Sequence, residues 1–431
     1  MRIAFISQPR DSIAATGTQR GSVAIVTWEL ARRLTDRHDV TIYAPLTAGQ
    51  PAEERGPENV LVRRTPTAYR RLHKAIDFGT GLLGMRPPYF SMDAFFREYA
   101  NAIAAELVRD PPDVVHIQIC AQFIPIIRRA VPGARIVFHT HDELLTHLDR
   151  ETIERRIGAA DAIVTCSDYV TQRWQARFPN RASHIHTVGN GVDLERFQPG
   201  PGDENFTAEP AILYVGRVSP EKGVHILAQA FERILARVPG ARLSVIGSAG
   251  LLPFNQISLL DDDPHVAALR SFYGHGLLDR VSKQALHART SYLDAIRARV
   301  TPATLERIRF HGPLEYMDLP ALYRSAQLLV APSLCAEPFG LPLAEAMASG
   351  LPVVASRAGG MAGIVDDGRT GKLVERGDIA GLADTAVALL SDAHVLAGMR
   401  RASRLSAEAR FGWKAAAGRL ENIYESLSGA Q

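Results

Sequence analysis

At 431 residues the chain has room for two or three domains. Hydrophobic residues make up 46% and charged residues 22%, a globular composition that sets aside a disordered or fibrous chain. A formal charge of +3 is too small to argue for nucleic acid. Cys120, Cys166 and Cys335 are scattered and odd in number, so they form neither a disulfide framework nor a metal-ligand spacing.

The chain opens directly on a strand, Met1-Arg-Ile-Ala-Phe-Ile-Ser7, with no leader pattern, and no apolar run reaches membrane-spanning length. The expectation is a cytoplasmic enzyme, with peripheral membrane contact left open. Apolar β-branched runs then alternate with amphipathic stretches, as in a parallel sheet covered by helices. Arg2–Ser7 and Val40–Ala44 read as strands and Gly21–Leu34 as the helix between them. The loop before that helix carries Gly17 and Gly21, which permit close backbone approach to a ligand; a plain flexible turn explains them equally. Residues 61–100 are rich in Arg and aromatics, including Arg63, Arg64, Arg70, Arg71, Lys74 and Tyr89. They read either as a solvated basic face or as an acceptor-binding or membrane-surface patch.

Asp113–Gln118 and Arg135–Asp142 are buried-strand patterns. The second ends in His139-Thr-His141-Asp142, where strand gives way to loop, and ligands of open α/β sheets bind beyond such ends. His141 is the candidate here and His139 the weaker one. After another strand at 160–167 come Asn190-Gly-Val-Asp193 and Arg196-Phe-Gln-Pro199. The Gly/Pro/polar run 200–206 places a domain boundary near 200.

The second half opens on Ala211-Ile-Leu-Tyr-Val-Gly216-Arg217, followed by Lys222-Gly223. A strand running into glycine and then two cations is a phosphate-binding layout, and the Lys-Gly order excludes a Walker A loop. Strands at 242–247 and 309–312 are separated by a long insertion, roughly 251–290. Its Asp261-Asp-Asp263-Pro264 reads as helix capping and solvation, so no metal site is assigned. From Ser333 the chain reads Leu-Cys-Ala-Glu337-Pro-Phe339-Gly340-Leu341-Pro342, then Glu345 and Gly350: strand end, bent loop, short helix, new strand. The helix start at Phe339, Gly340 and Leu341 offers backbone N–H groups to anions or sugar oxygens. Two flanking carboxylates, Glu337 and Glu345, suit a ligand with several hydroxyls. Residues 411–424 read as a last helix in which Trp413 packs.

Glu337 to Glu345, with Pro-Phe-Gly-Leu-Pro between, resembles the E-x7-E motif of retaining GT-B glycosyltransferases, in particular glycosyltransferase family 4. Gly216-Arg217 with Lys222-Gly223, His141-Asp142 and Asn190-Gly-Val-Asp193 resemble further words of that family. The resemblance implies an α/β chain of GT-B fold, two Rossmann-like domains facing each other across a cleft. Residues 1–200 would be the acceptor side, 201–408 the nucleotide-sugar side, and 409–431 a helix crossing back to the first domain. It implies a retaining, metal-independent transferase with no cofactor, moving a sugar from a nucleotide-sugar donor to a hydroxyl of a glycan, lipid-linked or small-molecule acceptor. Arg217 and Lys222 would hold the diphosphate. Glu337 and the Phe339–Leu341 amides would hold the sugar with His141, and Glu345 the ribose, with Gly216 also on the donor. Departures are the missing adjacent glycine pair at 17–21, Ala362-Gly363 where members commonly have Pro-Glu, and the insertion. Other classes stay open: a sugar phosphorylase or nucleotide-sugar epimerase of the same fold, or a non-catalytic nucleotide-sugar or glycan binder.

Overall fold

The computed structural model describes residues 1–429 except 17, 18, 20, 68, 201–208, 275 and 287–290. Gly17 and most of the 200–206 run therefore lie outside the described residues. The chain divides into two compact units, Met1–Gly191 with Trp413–Gln431, and Val192–Gly412.

The first unit carries β1 (Arg2–Ile6), β2 (Asp39–Pro45), β3 (Glu53–Arg55), β4 (Leu61–Thr65), β5 (Val114–Gln118), β6 (Arg135–Thr140), β7 (Ala162–Thr165) and β8 (Ile185–Thr187). They form one sheet in the order β3-β4-β2-β1-β5-β6-β7-β8, parallel except for the β3–β4 edge pair. Strands 5 and 7 are buried at every position, as sheets covered on both faces require. The helix Ser22–Leu34 buries Val23, Val26, Trp28 and Leu30, and Gly21 serves as its N-cap at φ 95°. The last helix, Trp413–Ser428, packs Trp413, Ala416, Ala417, Leu420 and Tyr424 into the same core as Phe5, Ile42 and Val137. The indole of Trp413 lies where a Cβ on Gly191 would stand, so that close approach needs glycine.

The second unit carries β9 (Ala211–Val215), β10 (Arg242–Ile246), β11 (Ile308–Gly312), β12 (Leu328–Ala331), β13 (Val353–Ser356) and β14 (Gly371–Val374). They make an all-parallel sheet in the order β11-β10-β9-β12-β13-β14. Strand 9 sits between strands 10 and 12, so the strand order reverses there, the kind of point beyond which open α/β sheets bind ligands. Val192 bridges Gly412, and the Arg404 guanidinium donates to the carbonyls of Leu194 (3.3 Å) and Phe197 (2.8 Å). These contacts attach residues 192–197 to the second unit, upstream of the expected break near 200. Among the described residues no single helix is long and apolar enough to cross a membrane. The three cysteines are buried and unbridged.

Candidate active site

Two neighbouring strand ends build the donor-side candidate. Leu328 and Leu329 on β12 pair with Ile212 and Leu213 on β9, so the loop after β9 and the loop after β12 leave the sheet side by side. That register brings together residues 115 positions apart. The Lys222 ammonium donates to both Glu337 carboxylate oxygens, at 2.6 and 2.7 Å, and Ser333 Oγ donates to Glu337 Oε1 at 2.6 Å. Burial raises the carboxyl of Glu337, but Lys222, Ser333 and Arg217 outweigh it and hold the group below its ordinary value. Burial lowers the ammonium of Lys222, and the Glu337 charge more than reverses this. Both groups are ionised and neutralise each other. Sequence reasoning had given Lys222 to phosphate and Glu337 to sugar as separate tasks; the structure joins them in one pair. Arg217 lies beside them with a side chain 44% exposed, 3.5 Å from the buried carboxylate of Glu221.

Beyond Glu337 the chain turns through Gly340, φ 107°, into the helix Leu341–Ala348. No side chain caps it. Pro342 has no N–H and the Leu343 amide donates to the Gly340 carbonyl at 2.9 Å, so the amides of Phe339, Gly340 and Leu341 are the donors left for an outside oxygen. Phe339 is buried edge-on against Phe411 (6.0 Å between centroids) and fixes the turn from below. Glu345 is 4% exposed, with the Tyr323 hydroxyl donating to Oε2 at 2.8 Å. Burial pushes its carboxyl up to about 7, against the opposing effects of Tyr323, Tyr316 and Arg196.

The first unit contributes a second cluster. Gln118 pairs in register with His139 across β5 and β6, which brings its side chain to His141: Nε2–H of His141 donates to Gln118 Oε1 at 2.6 Å. His141 stacks on His139 with centroids 4.1 Å apart. His139 Nδ1 lies 3.1 Å from His116 Nε2, and the Tyr424 hydroxyl shares a hydrogen bond of 2.6 Å with His116 Nδ1. Burial lowers all three histidines, His116 and His141 to about 3, so they are neutral. His116 is thus held at both ring nitrogens, by Tyr424 on one side and His139 on the other. The bond to Gln118 places the His141 proton on Nε2, leaving Nδ1 as an acceptor.

Residues 201–410 match the family model described as "Glycosyl transferases group 1", and residues 23–196 match "Glycosyltransferase Family 4". The chain belongs to glycosyltransferase family 4. Among curated relatives of this family 4 chain, D-inositol 3-phosphate glycosyltransferase 2 of Catenulispora acidiphila is 28% identical, covering 98% of the chain and 94% of the relative. Spore coat protein SA of Bacillus subtilis is also 28% identical, covering 76% and 82%. Among solved structures, sucrose-phosphate synthase from Thermosynechococcus elongatus superposes with a TM-score of 0.73 at 22% identity over all of both chains. Anabaena HepE, solved with UDP and glucose, gives 0.65 at 18% identity over 99% of each. These likenesses show the GT-B fold, two Rossmann-like units of α/β structure.

Several residues of this family 4 site escaped the sequence reading. Ser333 and Glu221 have no local signal; their roles come from strand adjacency. In the segment after β13, Gly359 bridges Glu337, and the Gly360 amide donates to the Glu337 carbonyl at 2.6 Å. A Cβ on Gly360 would collide with the Pro338 carbonyl, so these adjacent glycines let the two loops lie flat together. That pair was the available signal. Gly216 sits at the end of β9, its amide bonded to the Ile246 carbonyl at 2.9 Å.

Proposed function

We propose that this glycosyltransferase takes a nucleotide-sugar as donor and passes the sugar, with retained configuration and without a metal, to an acceptor hydroxyl. The acceptor belongs to the glycan, lipid-linked or small-molecule class. The observation that carries the reading is the ionised Lys222–Glu337 pair beside the half-exposed Arg217 guanidinium, in the loop that leads into the uncapped start of the Leu341–Ala348 helix.

When the bond to the diphosphate breaks, negative charge grows on the leaving group. Arg217 and Lys222 are placed to stabilise that charge, which favours the transition state over the ground state. A metal would supply the same charge, and two protein cations make it dispensable. Glu337, fixed by Lys222 and Ser333, has acceptor capacity for a sugar hydroxyl, and the Phe339–Leu341 amides donate to further sugar oxygens. Glu345 is assigned the ribose hydroxyls. His141, proton fixed on Nε2, is assigned a hydroxyl of the transferred sugar through Nδ1. Retention follows in this scheme from attack on the face the leaving group departs from, its phosphate taking the acceptor proton.

Thermal-shift screening against UDP-, GDP-, ADP- and dTDP-sugars tests the donor class, since a bound ligand raises the melting temperature. Product mass and anomeric configuration, measured with and without EDTA, test transfer, retention and metal independence. No shift with any of the four, or transfer abolished by EDTA and restored by a divalent metal, overturns the reading.

A further inference from the structure

The crossover from β10 to β11 takes residues 247–307, far more than the dozen or so that a parallel connection needs. Its surplus is a series of short helical turns, Phe254–Ile257, Pro264–Ala267, Arg270–Tyr273 and Leu277–Arg280. These do not stand off the domain. Ile257, Val266, Leu269 and Tyr273 share a buried cluster with Leu334 and Cys335, the residues just before Glu337. Arg376 ties the same two segments by donating to the Asp263 carboxylate and to the Leu334 carbonyl (3.1 Å).

One polar contact reaches further. Tyr273 is fully buried, and its hydroxyl donates to Glu221 Oε2 at 3.1 Å. The other oxygen of Glu221 accepts from Ser219 Oγ at 2.5 Å and stands 3.5 Å from Arg217 Nη1. The Glu221 carbonyl accepts from the amides of Leu334 and Cys335, at 2.9 and 3.3 Å. Glu221 thus joins the Arg217 loop to the Glu337 loop, and Tyr273 supplies a donor to its buried carboxylate. A buried carboxylate deprived of such a donor is left partly unsatisfied, and the network that includes its ion pair with Arg217 loosens.

We infer that the 251–280 segment is a positioning element for the donor site. Through Tyr273 it holds Glu221, and Glu221 through its 3.5 Å ion pair holds the Arg217 guanidinium where it can meet a nucleoside diphosphate. Tyr273 is a positioning residue, acting through Glu221 and Arg217. The inference rests on the donor reading given above and deepens it; it gives the segment a task on the donor rather than on the acceptor.

The test is a double-mutant cycle on the full chain, titrating UDP, GDP and ADP by calorimetry and using the tightest of them. Arg217→Ala is expected to weaken binding about tenfold or more, the scale of a charge-assisted hydrogen bond. Tyr273→Phe removes one oxygen and is expected to weaken it about three- to tenfold in the native background. In the Arg217→Ala background its further effect should stay within about twofold, because the group it aims is gone. Glu221→Gln, which keeps the shape but drops the charge, reads the same link and serves if Tyr273→Phe fails to fold. In turnover, the donor KM rises in Tyr273→Phe while the acceptor KM stays within about twofold. Native-like binding by Tyr273→Phe, or an equal penalty in both backgrounds, overturns this inference alone. Native-like binding by Arg217→Ala overturns the donor reading and this inference with it.

Discussion

Replacing Lys222 by Met separates the two tasks of the Lys222–Glu337 pair. The substitution keeps the aliphatic stem and removes a charge that touches both carboxylate oxygens, at 2.6 and 2.7 Å. Breaking a buried ion pair from one side costs about 3–5 kcal/mol, because the remaining charge is left uncompensated. The Lys222 side chain is 27% exposed and that of Glu337 10%, so solvent screening places this pair near the lower end, at about 3 kcal/mol. Lys222→Met is therefore expected to lower the urea midpoint clearly and to cut turnover at least about tenfold, or about 1.4 kcal/mol in the barrier. The double variant Lys222→Met/Glu337→Gln leaves no orphan charge and should recover most of the lost stability. Its turnover should stay low, because a cation for the leaving group and an acceptor for the sugar are both absent. The assays are urea denaturation followed by circular dichroism, and nucleotide release under saturating donor. A double variant that turns over at nearly the native rate would refute the reasoning, since the pair would then be scaffold only. The pH dependence has two sides. Glu337 lies below its ordinary value, so its contribution is present above the ordinary carboxyl range and is lost as pH falls through its folded value. Lys222 lies above its ordinary value, so its contribution is present below about pH 10 and is lost as pH rises further.

Glu345 behaves in the opposite sense: with its carboxyl raised to about 7, its proton-linked stability is complete below the ordinary carboxyl range and is lost as pH rises through about 7. Melting temperatures from pH 5 to 8 should fall more steeply in the native chain than in Glu345→Gln. The gap is of order 2–3 kcal/mol at about 1.4 kcal/mol per tenfold change in proton affinity, and parallel curves count against it. Tyr424→Phe leaves the buried Nδ1 of His116 without its hydrogen-bond partner and should destabilise the first unit by about 1–3 kcal/mol. Histidine-selective 15N NMR should show the Nδ1 resonance of His116 shifting, and an unchanged spectrum would contradict the Tyr424–His116 hydrogen bond. Gly360→Ala forces the Pro338 loop away from β13 and is expected to cost about 1–3 kcal/mol as overpacking. It should also lower turnover; native activity at native stability would show that the glycine pair does not shape the Glu337 loop.

Strands such as Val114–Gln118 and Ala211–Val215 were legible because each announces itself over five apolar-rich residues, whereas the short or Arg-bearing strands Glu53–Arg55, Leu61–Thr65 and Ile185–Thr187 were not read. The turn into the Leu341–Ala348 helix was legible for the same local reason, glycine and proline at fixed places. What could not be read was which strands become neighbours. Lys222 meets Glu337 because β9 and β12 are adjacent, and Gln118 meets His141 because β5 and β6 pair in a particular register. Tyr424 reaches His116 across 308 positions, a separation that leaves no periodicity to detect. Tyr273 was hidden differently: its segment has neither strand nor long-helix pattern, so a supporting role and an idle one look alike in one dimension.

The last helix also constrains how the molecule is made. Residues 1–191 leave the ribosome long before Trp413, Leu420 and Tyr424 exist, yet those side chains fill the middle of their core. The amino-terminal unit must therefore wait, incompletely packed, while the whole second unit is synthesised, and its final closure spans nearly the entire polypeptide. An isolated fragment ending at residue 191 would expose the seam, whereas a rearranged chain joining 413–429 directly to it would supply the missing wall at short range.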